Sequence, residues 1–507
     1  MEKVNALMYK FLGSKKGDGN PEPKEVLSYS IAGFGQNLIC TIIGSYLSIF
    51  MTDALLMADT NYGKFAGATA VAMLMFFTRI FDALNDPLMG SIVDRTRTPY
   101  GKCRPYLKWM AIPIGIVTIM CFLPIYNNST TSFVALCITY VVWSVVYTIV
   151  DVPYWGLSTA ITNDTTFRGK MLTIARLFCS AGGGLVTIAI PFISQQVTKK
   201  YKNSNGMLLQ QYTEANASTL RKTYFICALI IVLLSLPMFY AGFKNTRERH
   251  TSEGEAQSLR HNLKLLKTND QLMLILLSGI LGSARFVFMF TGSLYFCKYI
   301  LGKESYFSLM NILTGPGGLI ASLLVPWFTK KWGKKNTYIY VHLMGAVVLF
   351  TMYMIGRNGA YLHTGTLIAI AVGFVLIGIP LGVNNVITYA MIGDTVEYLE
   401  WKTGERGEGV CFSMQTFINK VSMAVGAFIG IQGYAISGIS PSDPMKTVTF
   451  AGGEKLWAVI MLTSAISMIL TVIPIFFYKV TESKQREYVE KVEERKITGE
   501  SAPVTVS

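Results

Sequence analysis

Charge is scarce in this chain. Asp, Glu, Lys and Arg supply 15% of its 507 residues, where a soluble domain carries about a quarter. Hydrophobic residues supply 51% and the mean hydropathy is +0.41, which excludes a string of soluble domains. Histidine is scarcer still: the four present, His250, His261, His342 and His363, form no ligand motif. The eight cysteines are scattered through apolar stretches without paired spacing, which reads as small core residues rather than disulfides or metal ligands. No G-x-x-x-x-G-K-[ST] loop, G-x-S-x-G or H-E-x-x-H occurs, so ATP-driven transport and the familiar hydrolytic chemistries have no support and the chain is not expected to be an enzyme. The period-2 alternation of an outer-membrane barrel is missing. A cleavable signal peptide is missing as well, since the first 25 residues are polar and rich in lysine.

What is present is a succession of apolar runs, each near the ~20 residues that cross a bilayer as a helix. Hydropathy predicts helices near 26–52, 63–92, 105–125, 131–162, 170–193 and 222–243, then near 271–298, 303–328, 336–356, 364–395, 408–436 and 455–480. The expected fold is therefore an all-α membrane protein of twelve transmembrane helices in two six-helix halves, 26–243 and 271–480. A cytoplasmic N-terminal segment (1–25), a polar linker (244–270) and a tail (481–507) complete it. The formal charge of +15 describes topology rather than nucleic-acid binding. Arg95, Arg97, Lys102 and Arg104 in the second loop, Lys330, Lys331, Lys334 and Lys335 in the eighth, the linker and the tail all fall on one side of the count, which the positive-inside rule makes cytoplasmic. Lys199–Lys202 is the exception, on the expected outside. The stretches 94–104 (DRTRTPYGKCR) and 329–335 (TKKWGKK) hold glycine and basic residues at the same place in each half, a weak internal repeat. Two such halves fit a major-facilitator fold with binding between them near the midplane.

Ionisable residues inside membrane helices are costly, and each is a functional candidate. Asp82, Asn85 and Asp86 stand at i, i+3 and i+4, on one helix face. Their oxygens suit a small cation; the carboxylate pair can instead share a proton, or an ion pair with Arg79 or Arg95 can simply fasten helices. In the fourth helix Tyr147, Asp151 and Trp155 are spaced by four, with Thr148 beside them. An aromatic ring stacks on the apolar face of a sugar while a carboxylate accepts its hydroxyls; packing alone is the alternative for the two aromatics. Arg176 stands where it can orient Asp151, and Arg285 and Lys420 where they can neutralise carboxylates or meet an anionic substrate group. Lys298, near a helix end, reads as a snorkelling side chain. Gln36, Asn37, Asn384 and Asn385 face either a cavity or neighbouring helices. The acidic stretch 393–400 (GDTVEYLE) is placed to pair with Arg79, Arg95 and Arg168 and close the inner side, or to be a solvated loop.

DALNDPLMG (82–90), TPYGKCRPY (98–106), YTIVDVPYW (147–155) and GDTVEY (393–398) together resemble, in order, the glycoside–pentoside–hexuronide:cation symporter family, the melibiose permease-like branch of the major facilitator superfamily. The resemblance runs from about Leu27 to Tyr478. It implies a cation site at Asp82, Asn85, Asp86 and Thr148, which would be the metal ligands if the ion is Na⁺. It implies substrate contacts at Tyr147, Asp151, Trp155 and Arg176, with Lys420 bridging the two sites; Asn37 and Arg285 are added as substrate-contact candidates from their place in the apolar runs, not from the resemblance. Melibiose carriers of the family have a lysine–aspartate pair where this chain has Gln36-Asn37, and a tryptophan where it has Asn385. Melibiose is therefore not the expected solute, and the change leans toward a hexuronide or another glycoside.

The reading is a cation-coupled symporter of a glycoside, pentoside or hexuronide in the cell (inner) membrane, both termini cytoplasmic, working as a monomer, with no cofactor beyond the coupling Na⁺ or H⁺. The four oxygen-bearing side chains favour Na⁺, because Asn85 and Thr148 cannot carry a proton at neutral pH. A lysolipid or amphiphile symporter and a non-transporting membrane sugar sensor are the alternatives.

Overall fold

A computed structural model describes residues 21–498 apart from 163, 199, 203–207, 211–213, 250–258, 290 and 406, together with Tyr9 and Leu12. Most of the expected N-terminal segment, residues 250–258 in the middle of the linker and the last nine residues of the tail therefore lie outside the described residues. Ten described helices are long and apolar enough to cross a membrane. The chain is a multi-pass membrane protein.

The helices follow the apolar runs. α1 is Pro23–Thr41 and continues through two π turns to Ala54. α2 is Gly67–Arg95, α3 the shorter Ala111–Cys121, α4 Thr130–Ile161, α5 Thr165–Val197 and α6 Glu214–Asn245. α7 is Asp270–Leu281, extended by 3₁₀, α and π turns to Ile300. The helix Ser305–Gly356 is 52 residues long and breaks at Gly333 into two arms, α8 (305–332) and α9 (334–356). α10 is Thr364–Thr403, α11 Glu408–Ile436 and α12 Phe450–Leu470. Hydropathy misplaced mainly the ends, because polar first and last turns are helical but not apolar. α6 begins at Glu214, and the linker and tail contain helices of their own, Leu259–Thr268 and Glu482–Thr498. Lys200–Lys202 pairs antiparallel with Leu208–Gln210 as a small hairpin.

Polarity is inverted relative to a soluble protein. Leu323, Val347, Phe77 and Ile116 are each more than half exposed, as a lipid-facing surface requires, while Asp82, Asp151, Lys298 and Arg285 are buried. On α2 the exposed Phe77, Phe81, Leu84, Leu88 and Ile92 form the stripe opposite Arg79, Asp82 and Asp86.

The two basic loops share one device. Gly101 has φ +104° and Gly333 φ +76°, a region that glycine enters without steric cost. Beside each lies a glutamate from a later segment, the one after α6 and the one after α12. Glu248 accepts from the backbone N–H groups of Lys102, Cys103 and Arg104, each at 2.8 Å. Glu482 accepts from Lys334 N–H at 2.5 Å.

Candidate functional site

α2, α4 and α11 bring three carboxylates and two cations together below the surface. Three-residue and four-residue spacing puts Arg79, Asp82 and Asp86 on the inward face of α2. Lys420 of α11 reaches between the aspartates, its Nζ 2.6 Å from Asp86 Oδ1 and 3.1 Å from Asp82 Oδ2. Thr148 of α4 donates to the other oxygen of Asp82 at 2.7 Å, and Arg79 Nη1 stands 3.9 Å from Asp82 Oδ2. Asn85, half-buried on the same face, makes no side-chain hydrogen bond to a described residue.

One turn further along α4, Asp151 is a hub. Its Oδ1 accepts from Gln36 Nε2, from Trp155 Nε1 at 3.1 Å and from the Tyr147 hydroxyl at 3.4 Å. Tyr147 stacks on Trp143, centroids 4.9 Å apart, and Trp143 anchors to Thr118 Oγ1 at 2.9 Å. With all five ionised, Asp82, Asp86 and Asp151 against Arg79 and Lys420 leave one negative charge, the charge that one monovalent cation would cancel.

Beyond Trp155 the cluster opens. The guanidinium of Arg176, exposed on α5, lies 5.5 Å from the Trp155 ring and 4.8 Å from the Tyr389 ring, and donates to the Tyr389 hydroxyl at 2.9 Å. Tyr389 stands one turn after the exposed Asn385 on α10. Trp155, Arg176 and Tyr389 thus bring rings and hydrogen-bonding groups of the two sets of helices together, with the exposed Asn385 one turn away on α10.

Several sequence expectations change here. Gln36, not Asn37, holds Asp151; Asn37 donates to Gly33 O at 3.3 Å and faces Gly183 of α5. Arg176 orients Tyr389 rather than Asp151. Arg285 is not brought to the cluster: it lies inside the second set against Tyr338 and His342 of α9, its Nε and Nη1 without partners among the described residues. The acidic stretch of α10 turns toward its own set, with Asp394 on Lys334 at 2.6 Å and Glu397 on Gln485. Neither Asp394 nor Glu397 pairs with Arg79, Arg95 or Arg168 among the described residues.

Lys298 does not snorkel. It is 1% exposed and pairs with Asp53, which is 0% exposed. Around this pair the two sets close on each other. Thr52 and Tyr295 share a hydrogen bond of 2.8 Å, Ser194 donates to Glu304 at 2.6 Å, Ser305 N–H donates to Gln195 at 3.1 Å, and Ser442 N–H donates to Asp59 at 2.9 Å. Asp53, Glu304 and Tyr389 escaped the sequence reading. A faint signal existed for the first: Asp53 and Lys298 are opposite charges near the ends of the first and seventh apolar runs.

The family model described as "MFS/sugar transport protein" matches residues 28–482. Among curated relatives, the chain is 26% identical to the isoprimeverose transporter of Lactiplantibacillus pentosus, covering 90% of this chain and 88% of that one. It is 25% identical to the glucuronide carrier protein homolog of Escherichia coli (strain K12), covering 93% and 96%. It is 26% identical to the raffinose carrier protein of Pediococcus pentosaceus, covering 92% and 71%. The fold is similar to the crystal structures of a D-xylose–proton symporter (TM-score 0.57, 14% identity, 91% of this chain and 98% of that one) and of a nucleoside transporter (TM-score 0.57, 13% identity, 90% and 100%).

Proposed function

Because the chain belongs to the MFS/sugar transport protein family, we propose that it is a secondary transporter, not an enzyme, that carries a glycoside, pentoside or hexuronide into the cell together with a monovalent cation. The observation that carries this reading is the shared cluster: the oxygens of Asp82 and Asp86 and the hub at Asp151 lie on adjoining turns, with Lys420 against both aspartates of α2. One charge is left over for a cation, and a ring-and-carboxylate site opens beside it. The relatives named as carriers of isoprimeverose, a glucuronide and raffinose supply the substrate class.

In this reading Lys420, paired with Asp82 and Asp86, competes with the coupling cation for their oxygens. An arriving Na⁺ takes Asp82, Asp86, Asn85 and Thr148, displaces the ammonium and frees it toward Asp151. Sugar and ion then raise each other's affinity, as linkage requires. Asn85 and Thr148 favour Na⁺ over H⁺, since a proton needs one carboxylate only. Asp151 and Trp155 grip the sugar, Gln36 and Tyr147 hold Asp151 in place, and Tyr389 of the other half, held by Arg176, closes the site.

Two six-helix halves are supported by the break at Gly333, which lets Ser305–Gly356 count as two crossings, by the short apolar α3, and by the matching Gly101–Glu248 and Gly333–Glu482 devices. The proposed orientation, which the basic loops support, has both termini and the linker in the cytoplasm of a cell-membrane protein, with the Asp53–Lys298 end outside. The chain is proposed to work as a monomer, since both sites are built from one copy.

The test is uptake of a panel of labelled glycosides, pentosides and hexuronides by proteoliposomes, with and without Na⁺ and with a long-chain lysolipid as competitor. Saturable uptake of one sugar class that resists the lysolipid supports the proposal. Binding without uptake makes the protein a sensor, and competition by the lysolipid makes it an amphiphile carrier.

A further inference from the structure

Where α1 and α7 end, three charged side chains are sealed between the two sets of helices, and one of them has no counter-charge of its own among the described residues. Asp53 and Lys298 form an ion pair, each in the closing π turn of its helix. Glu304, immediately before α8, is 1% exposed. Its Oε2 accepts from Ser194 of α5 at 2.6 Å, and its Oε1 has no partner among the described residues. Among the described residues, the titratable groups facing it are Lys298 and Cys297 of α7 and Asp53 and Tyr46 of α1. The charge of Lys298 is already matched by Asp53. An ionised Glu304 therefore adds a net negative charge to a dry interface, where an uncompensated ion is strongly unfavourable.

We propose that Glu304 is a proton-binding site of the closed end: it holds a proton while this end is shut and loses it when the end opens to water. The site is separate from the cation site at Asp82 and Asp86, and its ligand is the proton alone. A carboxylate takes up one proton on closing and returns it on opening, with no other bond made or broken. Burial pushes the Glu304 carboxyl above its ordinary value, in the sense this requires. The closed form then binds more protons than the open form, so closure is favoured below the raised value and lost as pH rises through it.

The inference rests on the reading of the chain as a carrier whose ends open alternately. It is tested in the full-length protein in lipid nanodiscs, with Cys40 and Cys137 replaced by serine and spin labels at Lys64→Cys and Lys446→Cys. Both lysines are exposed, on opposite sets of helices at this end. Label separation is followed from about pH 5 to about pH 9, a range spanning carboxylate to thiol titration. The expected result is a shift to longer separations as pH rises, lost in Glu304→Gln and kept in Asp82→Asn. Ser194→Ala, which removes the hydroxyl that stabilises the ionised form, moves the midpoint to higher pH. A separation that ignores pH in the parent protein, a full pH response in Glu304→Gln, or an unmoved midpoint in Ser194→Ala overturns the proposal. Gradient-driven uptake by the same labelled variant in sealed proteoliposomes keeps such a failure distinct from a failure of the transport reading.

Discussion

Asp151 accepts three side-chain donors on one oxygen, and those donors come from two helices. A sugar hydroxyl that binds there gains a charge-assisted hydrogen bond, worth about 1.5–3 kcal/mol. Asp151→Ala is therefore expected to weaken glycoside binding roughly tenfold to a hundredfold or more, with a much smaller effect on cation binding. Calorimetry on the purified variant measures both, and an unchanged sugar affinity would contradict the assignment. Its neighbours separate as well. Gln36→Ala loosens Asp151 and is expected to weaken sugar binding, whereas Asn37→Ala, whose amide only returns to Gly33, is expected to change it little; equal losses would put Asn37 back in the site. The intramembrane charges of α2, α4 and α11 were legible in the sequence because helical spacing fixes a shared face. The choice between Gln36 and Asn37 was not, since adjacent residues on a helix differ by about 100° and hydropathy does not set the rotation. Arg285 misled for a related reason: an intramembrane cation looks functional whichever way it points, and this one points into its own set of helices.

At the scale of elements, the π turns closing α1 and α7 carry Asp53 and Lys298 into the contact between the two sets, and π turns often mark functional positions. Removing one partner of a buried pair costs about 3–5 kcal/mol, because the other is left charged in a dry place. Asp53→Ala is accordingly expected to open this end and to speed the reaction of Cys297, 0% exposed, with a membrane-impermeant maleimide. Asp53→Ala combined with Lys298→Met is expected to react more slowly than the single variant; equal rates would mean that the pair does not hold this end shut. The glycines of the basic loops make a second test. A side chain in the left-handed region costs roughly 1–2 kcal/mol, so Gly333→Ala and Gly101→Ala are each expected to lower the thermal midpoint by a few degrees. Gly90→Ala, with nothing near its added methyl, is not. The sequence showed glycine and basic residues recurring in both loops but not the glutamates that clasp them, because Glu248 and Glu482 are distant in the chain and lie in polar segments without periodicity.

At the scale of the whole molecule, the two sets of helices meet tightly at the Asp53–Lys298 end, while the named ion pairs at the opposite end, Lys334–Asp394 and Arg249–Glu25, stay within one set. In the proposed orientation this arrangement is closed to the outside. Apolar length showed most of the crossings in advance; which end is shut depends on contacts between distant helices that no local pattern records. Alternation between this arrangement and its opposite, driven by the cation, is the central claim. It is tested most directly by loading purified protein into sealed proteoliposomes, imposing an inward Na⁺ gradient at fixed pH, and measuring the ratio of internal to external glycoside. The account predicts a ratio well above one that collapses when choline replaces Na⁺, and that Asp82→Asn loses while still exchanging labelled for unlabelled solute. A ratio that settles at one under Na⁺ and proton gradients alike, or full accumulation by Asp82→Asn, would contradict it.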